Sequence, residues 1–183
     1  MLQDIETRAI AALPGLDWEL ADNLAFRLNR DLATLTDLAA AYKQAHWNVL
    51  GPGFAELHRL FDEFADETRA YVDLVAERAV ALGGAARGTL QAAVECSALA
   101  PFPVDERDER RLLQELSRRV ERTAEDLREA IRSSIEEPVT QDLYIEIARG
   151  IEKQRWILLA QLAHPLSKSS GGRERSAGAS ARS

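Results

Sequence analysis

Residues 43–84 read KQAHWNVLGPGFAELHRLFDEFADETRAYVDLVAERAVALGG: the end of one helical pattern, a Gly-Pro-Gly break and the whole of a second. In the second pattern Leu57, Phe61, Phe64, Ala65, Thr68, Val72, Val75, Ala79 and Leu82 recur every three or four residues, which draws a single apolar stripe ended by Gly83-Gly84. Beside that stripe His58, Asp62, Asp66, Asp73 and Glu77 fall within an arc of roughly 100°. Before the break, Leu24, Leu28, Leu32, Leu35, Leu38, Tyr42, His46 and Val49 form the stripe of a first long helix, so His46 faces inward.

Working outward, Asp17 is placed to cap that first helix, and residues 1–16, ended by Pro14-Gly15, read as a short helix or arm. A connection over 85–107 contains a short helical stretch at Leu90 to Ser97 and the break Pro101-Phe102-Pro103. A third helix carries Leu113, Leu116, Val120, Ala124, Leu127, Ile131 and Ile135 and is closed by Pro138. A fourth carries Leu143, Ile147, Ile151, Leu158 and Leu162 up to His164-Pro165. So long a crossover lets the third helix run in the same sense as the second. The expected fold is all-α: a four-helix bundle of the ferritin-like kind over 17–165, with a short helix in the crossover. Residues 166–183 hold six Ser, three Gly and three Ala and no periodicity, the composition of a disordered tail.

The chemistry lies in the histidines and carboxylates. Imidazole with carboxylate suits a borderline redox metal such as Fe(II), whereas a structural zinc site draws on several cysteines, and Cys96 is the only one here. Zn(II) is still an alternative occupant, because it binds such ligands more tightly than Fe(II). At 1.5 Å per residue Asp62 and Asp73 are about 16 Å apart, and His58 and Glu77 about 28 Å, so one ion cannot reach both ends. The stripe divides into a His58/Asp62 half and an Asp73/Glu77 half about a midpoint at Glu67 and Thr68. Two copies of this helix crossing antiparallel there bring one half against the other, twice per dimer, with His46 closing each site. Taken singly, an inward histidine is more often a hydrogen-bonded core residue, and carboxylates at i, i+4 are usually a solvated face. No Glu-x-x-His, His-Glu-x-x-His, phosphate loop or Cys-x-x-Cys occurs.

A formal charge of −7 argues against a general nucleic-acid binder. The tail is the exception: Lys168, Arg173, Arg175 and Arg182 against Glu174 give it +3, leaving −10 for the rest. Glu136, Glu137, Asp142 and Glu146 cluster around Pro138 and are candidates for an acidic pore that concentrates cations, with helix-dipole complementation by Asp142 and a solvated face as the rival account. The absence of a basic leader, of a long apolar span and of paired cysteines points to the cytoplasm and to no membrane.

The motifs Lys43-Gln44-Ala45-His46-Trp47-Asn48, Gly51-Pro52-Gly53-Phe54, Leu57-His58, Phe61-Asp62, Asp73-Leu74-Val75-Ala76-Glu77-Arg78 and Leu82-Gly83-Gly84 resemble those of the Dps proteins, the DNA-protecting mini-ferritins of starved bacterial cells. The likeness covers about residues 17–164. It implies a hollow shell of twelve subunits with ferroxidase centres at two-fold interfaces, built from His46, His58 and Asp62 of one subunit and Asp73 and Glu77 of the other. It also implies oxidation of Fe(II), with hydrogen peroxide preferred to dioxygen, and storage of the ferric mineral inside. Trp47 resembles the family's site-adjacent aromatic, though a packing role is an equal account. Many DNA-binding members carry a lysine-rich N-terminal arm, but here residues 1–16 hold Arg8 alone, which leaves the C-terminal tail as the DNA contact and nucleoid compaction as an alternative function.

Overall fold

The computed structural model describes Leu13 and residues 15–163. The first helix, α1 (Trp18–Asn48), opens as expected. Asp17 Oδ1 accepts from the Glu19 and Leu20 N–H groups at 3.0 and 3.1 Å, satisfying two donors that a helix start leaves free. Three more helices and a short one follow: α2 (Phe54–Ala81), α3 (Leu90–Cys96), α4 (Glu109–Ser133) and α5 (Pro138–Ala163). Among the described residues no strand is present; Leu50 and Asp108 form an isolated bridge that ties the α1–α2 corner to the start of α4. No helix described is long and apolar enough to cross a membrane.

Side-chain contacts fix the helix directions. Tyr144 donates to Asp31 at 2.8 Å and Tyr42 to Gln154 at 2.9 Å, so α1 and α5 run the same way. Arg78 meets Thr140 at 2.9 Å while Gln154 reaches Glu67 at 2.8 Å, so α2 opposes α5. Arg110 reaches the Leu162 carbonyl and Gln141 the Ile131 carbonyl, so α4 opposes α5 as well. Hence α2 and α4 share a sense, and the long crossover containing α3 is what permits it.

The core is the set of stripes read from the sequence, with Leu28, Leu32, Leu38, Phe61, Leu116, Leu127, Ile147 and Ile151 all buried. Across its middle runs a polar chain: Tyr42 donates to Gln154, Gln154 to Glu67, and Tyr71 to Glu67 at 3.1 Å. Burial pushes the Tyr42 hydroxyl well above its ordinary pKa, so it stays a donor. Gly150 makes room for this chain, since a Cβ there would fall 1.8 Å from the Tyr71 hydroxyl.

Two expectations are corrected. Ile135 is 70% exposed, because α4 ends at Ser133 and the chain turns before Ile135 can continue the stripe. Pro138 does not close α4 but opens α5, where its missing N–H removes nothing from the helix ladder. The arm over 1–16, apart from Leu13, Gly15 and Leu16, and the tail over 166–183 with Lys168, Arg173, Arg175 and Arg182 lie outside the described residues.

Candidate metal centre

The α1–α2 corner positions the two histidines. Gly51, at φ 150°, makes the turn, and a Cβ there would collide with the Glu109 carboxylate packed beneath it. That carboxylate accepts from the Gly53 N–H at 2.7 Å, which supplies the side-chain partner that the start of α2 otherwise lacks.

Across this corner the histidines hold each other. His46 Nδ1 lies 2.6 Å from the His58 carbonyl oxygen, and His58 Nδ1 lies 2.8 Å from the His46 carbonyl oxygen. The rings stack with centroids 3.7 Å apart and planes 20° from parallel. A carbonyl only accepts, so each Nδ1 carries the hydrogen and donates, and in the neutral tautomer that this fixes the lone pair lies on Nε2. This is the backbone anchoring that orients a metal-binding imidazole. Phe54 also stacks on His58, with centroids 5.1 Å apart.

Asp62 lies one turn further along α2, half-exposed, and its carboxylate is paired with the Lys43 ammonium. The Lys43 hydrogen bond is the main cause that holds the Asp62 carboxyl below its usual range, against the smaller opposing effect of burial. Lys43 also sits 5.8 Å over the ring of Trp47, which is 67% exposed. Asp73 and Glu77 project from the exposed face of α2, about 16 Å and more beyond Asp62. Among the described residues of one chain, no three His, Cys, Asp or Glu side chains form a group able to hold a metal ion. A single chain brings His46 and His58 together and leaves Asp73 and Glu77 apart from them.

The acidic candidates near the α4–α5 join divide. Glu136, Asp142 and Glu146 are exposed. Glu137 is 8% exposed and its Oε2 accepts from Thr140 N–H at 2.7 Å, Thr140 Oγ1 at 2.5 Å and Arg78 at 2.5 Å. Burial works against its charge, but the bonds from Thr140 and Arg78 outweigh it and hold the carboxyl below its ordinary value. Glu137 is therefore the cap of α5 and the partner of Arg78, not a pore-lining carboxylate.

The sequence reading missed three contributors. Lys43 was legible as i−3 to His46, but its pairing with Asp62 crosses two helices. Phe54 stands in the Gly51-Pro52-Gly53-Phe54 motif, but nothing in that motif places its ring against His58. Glu109 acts through a contact 56 residues away in the chain.

A family model described as a ferritin-like domain matches residues 27–165. The DNA protection during starvation protein of Agrobacterium fabrum is 39% identical over 137 residues, covering 74% of this chain and 85% of that protein. This chain belongs to the Dps family. The solved Mycobacterium smegmatis Dps superposes with a TM-score of 0.80 at 33% identity, covering 82% of this chain and 93% of that one. The Dps of Vibrio cholerae, described as a member of a broad superfamily of ferritin-like diiron-carboxylate proteins, gives 0.77 at 27% identity, covering 82% and 96%. The ferritin-like match over 27–165 takes in His46, His58 and the whole of α2, the helix that carries every candidate ligand except His46.

Proposed function

We propose that this Dps chain is a DNA-protecting mini-ferritin whose ferroxidase site is shared between two subunits. The observation that carries the proposal is the His46–His58 pair: two rings anchored through Nδ1 to backbone carbonyls, with both Nε2 atoms free for a ligand, where the described residues of one chain bring no third ligand side chain into a metal-holding group. Asp62 joins them from α2, and Asp73 and Glu77 of the partner subunit supply the remaining carboxylates. Fe(II) is the substrate. Binding requires the Lys43 ammonium to release Asp62, which exchanges one cation for another at the same carboxylate.

The carboxylates favour the higher charge of Fe(III), so the site lowers the cost of oxidation, and the neutral imidazoles complete the ligand set without adding charge. Two Fe(II) ions each give up one electron, the two electrons break the O–O bond of one hydrogen peroxide, and two hydroxide ions form. No hydroxyl radical is released when both electrons go to one peroxide, which is how iron oxidation protects DNA. The ferric product is stored as mineral inside a closed shell of twelve copies. Iron is the natural occupant and Zn(II) a competitor at the same ligands. The protein works in the cytoplasm, and its basic tails bring it to the nucleoid.

The test is Fe(II) oxidation followed by absorbance under anaerobic addition of peroxide. Two Fe(II) consumed per peroxide, slowed on the order of a hundredfold by His58→Ala with the assembly intact, is the expected result. An undiminished rate in that variant would remove His58 from the site.

A further inference from the structure

The exposed stripe of α2 contains Arg69 at its centre. Ala55, His58, Asp62, Asp66, Arg69, Asp73, Glu77 and Val80 lie within one arc of about 100°. Their intervals are 3, 4, 4, 3, 4, 4 and 3 residues, the same from either end. An identical helix crossing antiparallel at Glu67 and Thr68 therefore sets Ala55 against Val80, His58 against Glu77, Asp62 against Asp73, and Asp66 against Arg69. The first pair is apolar and the last is opposite in charge. The like-charged pair, Asp62 with Asp73, falls where the shared site places a cation.

We infer that Asp66 and Arg69 are the register lock of the subunit pair, an inference that rests on the shared-site reading above. In the free chain Arg69 Nη1 donates to Asp66 Oδ1 at 2.9 Å within one turn, and both side chains are more than half exposed. Both lie within two residues of the crossing point, where packed helices approach to about 8–10 Å, within reach of an arginine. Each Arg69 then bonds to Asp66 of the partner subunit, twice by symmetry. A shift of four residues one way sets Asp66 against Asp73 and Asp62 against Glu77, carboxylate on carboxylate. A shift the other way pairs Arg69 with Asp62 and His58 with Asp73, but it sets Glu77 against Phe54 and leaves Asp66 opposite Ala65. Of the three, only the Asp66–Arg69 register sets both His58 and Asp62 against carboxylates of the other half, and that is the register the lock favours.

Charge reversal tests this with the full-length chain. Asp66→Arg leaves only cations at the crossing and Arg69→Asp only carboxylates, so each variant alone should pair on the order of tenfold or more weakly, as read by sedimentation velocity. The double variant Asp66→Arg/Arg69→Asp restores complementarity and should regain pairing. Co-expressed with distinct tags, the two single variants should form mixed pairs well above the statistical proportion in native mass spectrometry. Co(II) titration, read by its d–d absorbance, should lose the histidine–carboxylate site in each single variant and regain it in the double. Circular dichroism verifies that the helices persist. Single variants that pair and bind Co(II) like the unaltered chain, or a double variant that regains nothing, overturn the lock. Unaltered pairs that bind no Co(II) would instead refute the shared site, with the pairing results still deciding the lock.

Discussion

Replacing Glu137 with Ala separates two accounts of one carboxylate. As a cap it holds three hydrogen bonds through a single oxygen, two from Thr140 and one from Arg78, whose side chain is 12% exposed. Loss of a helix cap costs about 1 kcal/mol, typically 0.5–2. Leaving a buried cationic partner unpaired costs up to about 3–5 kcal/mol, but Arg78 keeps its 2.9 Å bond to Thr140 Oγ1, so the lower part of that range applies. The sum is about 3–4 kcal/mol. At about 2–4 °C per kcal/mol for a chain of this size, the melting temperature should fall by roughly 6–16 °C. The pH dependence has a definite sign. The folded-state pKa of Glu137 is depressed, so its contribution is present above the ordinary carboxyl value of 4.5 and is lost as pH falls through the depressed value. The gap between the unaltered and variant proteins should therefore be full near neutrality and shrink on acidification below 4.5. Calorimetry across pH measures it, with the iron uptake rate as control. An unchanged melting temperature with slowed uptake would refute the capping account and return Glu137 to the pore.

Neutralising Glu136, Asp142 and Glu146 together should slow Fe(II) uptake at low salt and leave stability within about 0.5 kcal/mol, as expected for exposed side chains; uptake indifferent to the change would assign them to a solvated face. Truncation after Pro165 should abolish a DNA gel shift that is present at low salt, with ferroxidase activity retained. The four basic tail residues bound the salt slope at about −3.6 per engaged tail, so binding should fade near physiological salt unless several tails act together. A truncated protein that still binds DNA tightly would place the contact on the folded body.

The bundle was legible because its evidence is local. Stripes at helical spacing, Asp17 before α1 and Gly83 after α2 each act within a few residues. The α4–α5 join was misread because an apolar residue in phase, Ile135, looks the same whether the helix continues or turns, and Pro138 both ends and begins helices. Glu137 was grouped with exposed carboxylates because burial depends on Arg78, 59 positions earlier in the chain. The site was legible as a set of residue types and a spacing. The reciprocal His46–His58 bonding was not, since it needs the Gly51 corner to bring two carbonyls within 3 Å of two rings.

The shared site is tested most directly by mixing two broken chains. His58→Ala removes one half-set and Asp73→Ala the other, so each homodimer has two incomplete sites. A mixed pair holds one site with both defects and one with His46, His58 and Asp62 of one chain facing Asp73 and Glu77 of the other, all intact. Peroxide-dependent Fe(II) oxidation, weak in either variant alone, should recover in verified mixed pairs to about half the unaltered rate, one site in two. Mixed pairs no more active than their parents would contradict a site built from two subunits.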